Sequence, residues 1–367
     1  MSDLASSLKL QPSASQLPVS WYFDPHIFEL EQKLLFANGP HYMGHELMVP
    51  KVGDYHTLAW MDHGKVLVRN ETGIELMSNI CRHRQAVMLE GRGNAQNIVC
   101  PLHRWTYDMK GELLGAPHFP DNPCLNLGKT KLQNWHGLLF AGNRDVAKDL
   151  AGFTAADDFD FSGYMFESAQ VLEFEQNWKT FIEVYLEDYH VVPLHPGLGH
   201  FVTCDDLKWD IADTYSSQTV GIIDKLAKPG TPVYAKWHEA LLRYNQGKLP
   251  KQGAVWMLYY PNVMLEWYPH VLIVSTLLPR SPTHTTNVVE YYYPEDIVLF
   301  ERGFIEAEQA AYMETAIEDD ELAKRMDRGR RVLLNRGVNE VGPYQSPMED
   351  GMMKFHEYLQ NGLARHV

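Results

Sequence analysis

Basic residues are scarce in this chain: 32 Lys and Arg stand against 47 Asp and Glu, a formal net charge of -15. That balance argues against a nucleic-acid partner, because binding a phosphate backbone needs cations to neutralise it. Long apolar runs are missing too, with no stretch of about 18 uncharged apolar residues to span a bilayer, so no membrane association is expected. The first residues, "MSDLASSLKLQPSASQLPVS", lack the basic start and apolar core of a signal peptide, and the expected location is cytoplasmic. Cysteine is rare, with only Cys81, Cys100, Cys124 and Cys204 in 367 residues. A disulfide framework is therefore not expected, and metal binding or plain burial is the usual alternative. Cys124 and Cys204 stand apart from any motif and read as buried spectators. Neither a Gly-rich flavin or nicotinamide fingerprint nor a plant-type ferredoxin cysteine spacing is present.

What is there is enough for two packed cores, since 45% of the residues are hydrophobic and the length exceeds one usual core. Residues 24–40, "DPHIFELEQKLLFANGP", read as an amphipathic helix closed by Asn-Gly-Pro, which makes 1–40 a helical leader expected to pack on the second domain. From 41 to 150, short alternating runs such as "KVLVRN" and "GLLFAG" lie between Gly, Asn and Asp turns, the pattern of an all-β domain. The small and acidic segment 151–163 reads as a connector. Residues 151–367 then mix a helix near 177–191, strands in "AVWMLYYPNVMLEWYPHVLIVSTLLP" and "TNVVEYYYP", and a long charged helix from about 294 to 336. Strands with segregated helices make this domain α+β.

Two loops carry the strongest motif. "NICRHRQAV" supplies Cys81 and His83, and "VCPLHRWTY" supplies Cys100 and His103, with 16 residues between the pairs. A structural zinc site is one reading, but zinc loops usually pair like ligands. Here each loop brings one of each. If the cysteines take one iron and the histidines the other, the product is a [2Fe-2S] cluster of the Rieske type, whose neutral imidazoles raise its potential far above that of an all-cysteine cluster.

The segment "CRHRQAVMLEGRGNAQNIVCPLHRWTYDMKGELLGAP" resembles the Rieske domain of the Rieske non-heme iron oxygenases along its whole length. The resemblance implies that Trp105 and Tyr107 shield the cluster and tune it through hydrogen bonds, ordinary core packing being the other reading. It also implies a second domain of helix-grip type, with a curved antiparallel sheet and helices, that holds a mononuclear Fe(II).

In that domain, "NWKTFIEVYLEDYHVVPLHPGLGH" holds His190 and His195. A regular helix would splay them by about 140°. Pro193 is expected to end the helix between them and let His195 curl back. Alone, the pair is a weak signal. With the resemblance, it supplies two members of the facial triad of non-heme iron oxygenases, which leaves positions open for dioxygen and substrate. The carboxylate then comes from "EDDELAKRMDRG": the family register implies Asp319, with Asp320 the alternative, and Asp327 departs from a position where relatives often carry glutamine. Glu187 occupies the place of the carboxylate that links cluster and iron, aspartate in most members and glutamate in carnitine-type ones. The other reading of Glu187 is a surface glutamate.

The resemblance further implies a homotrimer in which one subunit's cluster serves the next subunit's iron, fed by a separate reductase or ferredoxin. Arg82, Arg84, Arg92 and Arg104 around the cluster loops would suit an acidic donor, or else bridge to a neighbouring subunit. The substrate is a small organic molecule hydroxylated with O2. Trp256, Tyr259, Tyr260, Trp267 and Tyr268 would suit a quaternary-ammonium cage or an arene slot, or simply a core. An electron-transfer or sensor protein with a non-catalytic second domain is the competing reading.

Overall fold

Frequent turns cut the first half of the chain into strands too short to make one large sheet. The computed structural model describes residues 16–223, 226 and 228–367, so the first fifteen residues of the leader lie outside the described residues. Two compact units form, one from Pro40–Asp149 and the other from the described residues up to Gly39 together with Leu150–Val367. Among the described residues, no helix is long and apolar enough to cross a membrane.

In the smaller unit, a five-stranded antiparallel sheet runs in the order Arg92–Asn94, Asp54–Thr57, Lys65–Asn70, Gly73–Ser78 and Lys129–Thr130. Two further three-stranded sheets complete it. Its core gathers Val66, Val68, Met77, Ile98 and Leu113 with Trp105, Tyr107 and the cysteines of both loops. The cysteines are thus set in apolar packing, away from water.

The larger unit is built on a seven-stranded antiparallel sheet. Tyr164–Phe174 forms one edge, and the chain then crosses to the opposite edge, Val202–Ile211. From there Tyr215–Ile222, Ala254–Tyr259, Val263–Tyr268, Val271–Ser281 and His284–Pro294 step back until the last strand pairs with the first. Residues alternate between the two faces of a strand. On one face Ile273, Val289, Tyr291 and Tyr293 pack with Phe304, Ile305 and Ala311 of the helix Arg302–Asn335. The helix Pro232–Tyr244 closes the same core through Trp237 and Leu241. A short helix, Glu295–Phe300, precedes the long one, so the expected single helix from 294 is broken at Glu301.

The leader belongs to this larger unit. Asp24 caps the helix Pro25–Glu31 by accepting from the His26 N–H at 2.8 Å. Ile27 and Leu35 join Trp178, Ile182, Met264 and Phe355 in a second core cluster. The buried Glu31 accepts from Lys179 Nζ at 2.6 Å and from the indole N–H of Trp178 at 2.8 Å. Leader and crossover are thereby fastened by an ion pair as well as by apolar contact.

Candidate metal centres and active site

The two cluster loops close in the same way. Four residues after each cysteine the backbone turns left-handed, at Gln85 (φ 57) and Arg104 (φ 63), and the N–H there returns to the cysteine carbonyl at 3.1 Å. Each loop so folds its cysteine inward and its histidine outward. Cys81 and Cys100 are buried and unbridged, while the rings of His83 and His103 meet edge to face 4.7 Å apart. His83 Nδ1 is buried with no hydrogen-bond partner, the state of an imidazole nitrogen facing a metal. Two thiols on one side and two imidazoles on the other fit a [2Fe-2S] cluster with mixed ligands. Trp105 stacks on His83 at 4.9 Å, and the Tyr107 hydroxyl lies 3.8 Å from Cys81 Sγ while accepting from the Arg82 N–H. Arg82, Arg84, Arg92 and Arg104 are exposed. Cys124 is exposed too, on a left-handed turn at φ 55, which corrects its reading as a buried residue. Cys204 is buried.

The crossover in the larger unit builds the second site. Asn177 caps the helix Trp178–Tyr185, which stops before His190, well short of Pro193. Pro193 itself lies inside the four-residue turn Val191–Leu194. It breaks nothing there, because the first N–H groups of a helix have no intrahelical acceptor to lose. The expectation that Pro193 ends a helix between the histidines is thus corrected, although His195 does turn back on His190. Gly197 makes room for this bend: a Cβ there would fall 2.1 Å from the ring of Tyr234.

His190, His195 and Asp319 offer ligand atoms within 4.8 Å of one another. The Nε2 atoms of the histidines are 3.1 Å apart, and Asp319 Oδ1 lies 3.0 Å from that of His195 and 3.4 Å from that of His190. Each ring is held from behind. His190 Nδ1 bonds to Glu187, whose other oxygen accepts the His190 backbone N–H at 3.0 Å, and His195 Nδ1 bonds to Glu318 at 2.7 Å. With Nδ1–H donated to carboxylates, neutral rings direct Nε2 lone pairs at one another and at Asp319. A proton or a metal ion between them relieves that repulsion. Burial lowers the basicity of His190, but Asp319 and Glu187 more than reverse this and raise its pKa to about 10. The same field that would draw a proton draws a divalent metal, and two imidazoles with one carboxylate fit Fe(II).

The acid run has divided its tasks, since successive helical residues point about 100° apart. Glu318 orients His195, Asp319 faces both histidines, and Asp320 turns away to pair with Lys324 at 2.7 Å. Asp327 is buried and accepts from the Asn177 N–H at 2.7 Å and from the Thr180 hydroxyl. Glu318 was not singled out from the sequence, where its only signal is its place beside Asp319.

A pocket adjoins the three ligands. Of the five aromatics singled out earlier, Trp256 and Tyr268 line it. Tyr260 lies instead in the second core cluster, Tyr259 is buried away from the pocket lining, and Trp267 is only partly buried. Five carboxylates line it, Glu187, Asp188, Glu266, Glu308 and Asp319, and among the described residues no lysine or arginine does. Asp188 is buried with both oxygens unpartnered, and burial, reinforced by Glu187, pushes its carboxyl up to about 7.

Residues 41–132 match the Rieske [2Fe-2S] domain, and residues 161–364 match the catalytic domain of the ring-hydroxylating alpha subunit. The chain is 67% identical to the putrescine 2-hydroxylase of Ralstonia nicotianae, over 98% of this chain and 99% of that protein. It is 56% identical to the putrescine 2-hydroxylase of Bordetella bronchiseptica, over 98% and 87%. Its fold is similar to that of a quaternary ammonium Rieske monooxygenase described for carnitine oxidation by gut microbiota and inter-subunit electron transfer. The TM-score is 0.73 at 20% identity, over 96% of this chain and all of that one. The chain therefore belongs to the ring-hydroxylating alpha subunits of the Rieske oxygenases, the terminal oxygenase components whose cofactors are a [2Fe-2S] cluster and a mononuclear iron.

Proposed function

We propose that this oxygenase hydroxylates a linear aliphatic diamine of the putrescine type at a carbon–hydrogen bond next to the amine-bearing carbon. The observation that carries this reading is the pocket lining, five carboxylates with no lysine or arginine among the described residues, which suits a cation and opposes an anionic aromatic acid. The putrescine hydroxylases at 67% and 56% identity support it. A primary diamine stands beside the quaternary ammonium and aromatic compounds raised by the resemblance.

In this reading Cys81, His83, Cys100 and His103 hold the cluster, and His190, His195 and Asp319 hold the iron. When bound, the cluster would supply single electrons and the iron a site for dioxygen. Glu187 and Glu318 keep the His190 and His195 rings in one tautomer. Glu187 also links the iron site to a neighbouring subunit's cluster in a head-to-tail trimer, which the inter-subunit electron transfer of the structural relative supports. The donor is a separate reductase or ferredoxin docking near Arg82, Arg84 and Arg104, and the enzyme works in the cytoplasm.

The test is product analysis with a reductase and NADH: putrescine should yield its 2-hydroxy derivative in step with oxygen uptake. Oxygen uptake that putrescine leaves unchanged, with no hydroxylated diamine, would end this reading. In parallel, Asp319→Ala should lose the mononuclear iron and turnover but keep the cluster spectrum, while Asp320→Ala keeps the mononuclear iron as well as the cluster. Equal losses in the two variants would remove Asp319 from the ligand set.

A further inference from the structure

The pocket holds two carboxylates that the metal does not use. Glu266 sits in the strand "VMLEWY", on the helix-covered face of the sheet, with Trp256 and Ile273 as its cross-strand neighbours. Glu308 comes from the helix Arg302–Asn335, and both are buried. An inward position in so apolar a strand normally belongs to a packing residue, and a carboxylate there is costly unless it gains a partner. Hydroxyls make up part of this. Tyr312 donates to Glu266 Oε1 at 3.1 Å, Tyr268 donates to Oε2 at 3.2 Å, and Tyr293 donates to Glu308. No cation of the chain does, since the lining has no lysine or arginine among the described residues.

Glu308 also lies in a definite direction from the metal ligands. Glu308 and Asp319 are eleven residues apart on one helix, three turns or about 16 Å along its axis. Tyr312 and Thr315 line the pocket between them. Burial pushes Glu266 up to about 7 and Glu308 up to about 8, each against the pull of its tyrosine donors, and the Glu266 charge adds to the rise at Glu308. On the same row of the sheet Gln218 is the neighbour of Trp256, and its Oε1 is buried without a donor. This wall of the pocket is therefore rich in acceptors and, among the described residues, short of positive charge.

We infer that Glu266 and Glu308, framed by Tyr268 and Tyr312, seat the substrate's ammonium group remote from the reacting carbon and so select linear primary amines. The inference rests on the amine reading above and names the residues that enforce it. A primary ammonium brings three N–H donors and a positive charge to carboxylates that the tyrosines give hydrogen bonds but no countercharge. A quaternary ammonium brings charge without donors. The tyrosine rings add cation-π attraction.

The experiment compares the holoenzyme with Glu266→Gln and Glu308→Gln, using putrescine, cadaverine, glycine betaine and uncharged 1,4-butanediol. Thermal stabilisation by each compound is measured first, then KM for those turned over. Both variants should keep wild-type iron content and cluster spectrum. Each should raise the putrescine KM at least about 30-fold, equivalent to about 2 kcal/mol at 1.4 kcal/mol per decade, and abolish stabilisation by putrescine. The weak response to butanediol should not change, whereas a collapsed pocket would weaken both compounds together. Variants that bind putrescine as the wild type does, or that lose putrescine and butanediol alike, overturn the inference. Stabilisation of the wild type by cadaverine but not putrescine, lost in Glu266→Gln, upholds the ammonium seat and refutes only the choice of putrescine. Absence of stabilisation by either diamine overturns both.

Discussion

A histidine ligates a metal only in one orientation and one tautomer, and in this protein a carboxylate behind each ring sets both. Glu318 does so for the buried His195 at 2.7 Å. Glu318→Gln keeps the shape and removes the charge, and should weaken Fe(II) affinity by about 10- to 100-fold, the usual effect of losing such a partner. Titration of the metal-depleted protein with Fe(II) checks this, and unchanged affinity would deny Glu318 its role. At this scale the sequence was most legible where the chemistry is local. Cys81, His83, Cys100 and His103 lie within two short loops, so their spacing carries the message. His190, His195 and Asp319 come from segments more than a hundred residues apart, and only a family likeness joined them. Glu266 was open to view in "VMLEWY" as an acid among apolar residues, but its register toward the helices appears only when the sheet is assembled.

Among the elements, the crossover segment carries most of the load, because it bears both histidines and anchors the leader. Lys179 and Glu31 are both buried, at 1% and 0% side-chain exposure. Lys179→Met leaves Glu31 as an unpaired buried charge, and unfolding should become easier by about 3–5 kcal/mol. Adding Glu31→Leu to the same chain should restore most of that loss, since a buried pair is often replaceable by apolar groups. Denaturant unfolding of the two variants measures both effects, and a single variant as stable as the wild type would contradict the account. Periodicity announced the strands from 254 to 294 and the long helix, whose patterns run for many residues. It was misleading at Pro193, where a proline sits in the first turn of a short helix rather than after the last. The helix Asp350–Leu363 is less plainly announced by its sequence, although its Phe355, Leu359 and Leu363 complete the second core cluster.

For the whole molecule, two units with separate cores mean two metal sites that assemble independently. Cys100→Ser should abolish the cluster's visible absorption and yet leave about one iron per chain, because each site depends on its own ligands for its own metal. Loss of all iron from that variant, found by metal analysis, would tie the sites together. Composition bounded this scale well, since 367 residues exceed one core and the change from short strands to mixed elements marks the second. Charge was less informative: a net charge of -15 does not reveal that exposed arginines gather at the cluster loops.

The long helix bears Glu308 at one point and Asp319 eleven residues later, and a helix is stiff over three turns. On the proposed diamine reading it would serve as a ruler. The carbon oxidised would then be fixed by its distance from the seated ammonium, not by its distance from the free end of the substrate. In putrescine that carbon is the third from the held nitrogen. A diamine longer by one methylene keeps the same count from the same nitrogen, so its hydroxyl moves to the central carbon. Altering the chain length of the substrate changes what hangs beyond the mark, while the mark itself stays with the protein.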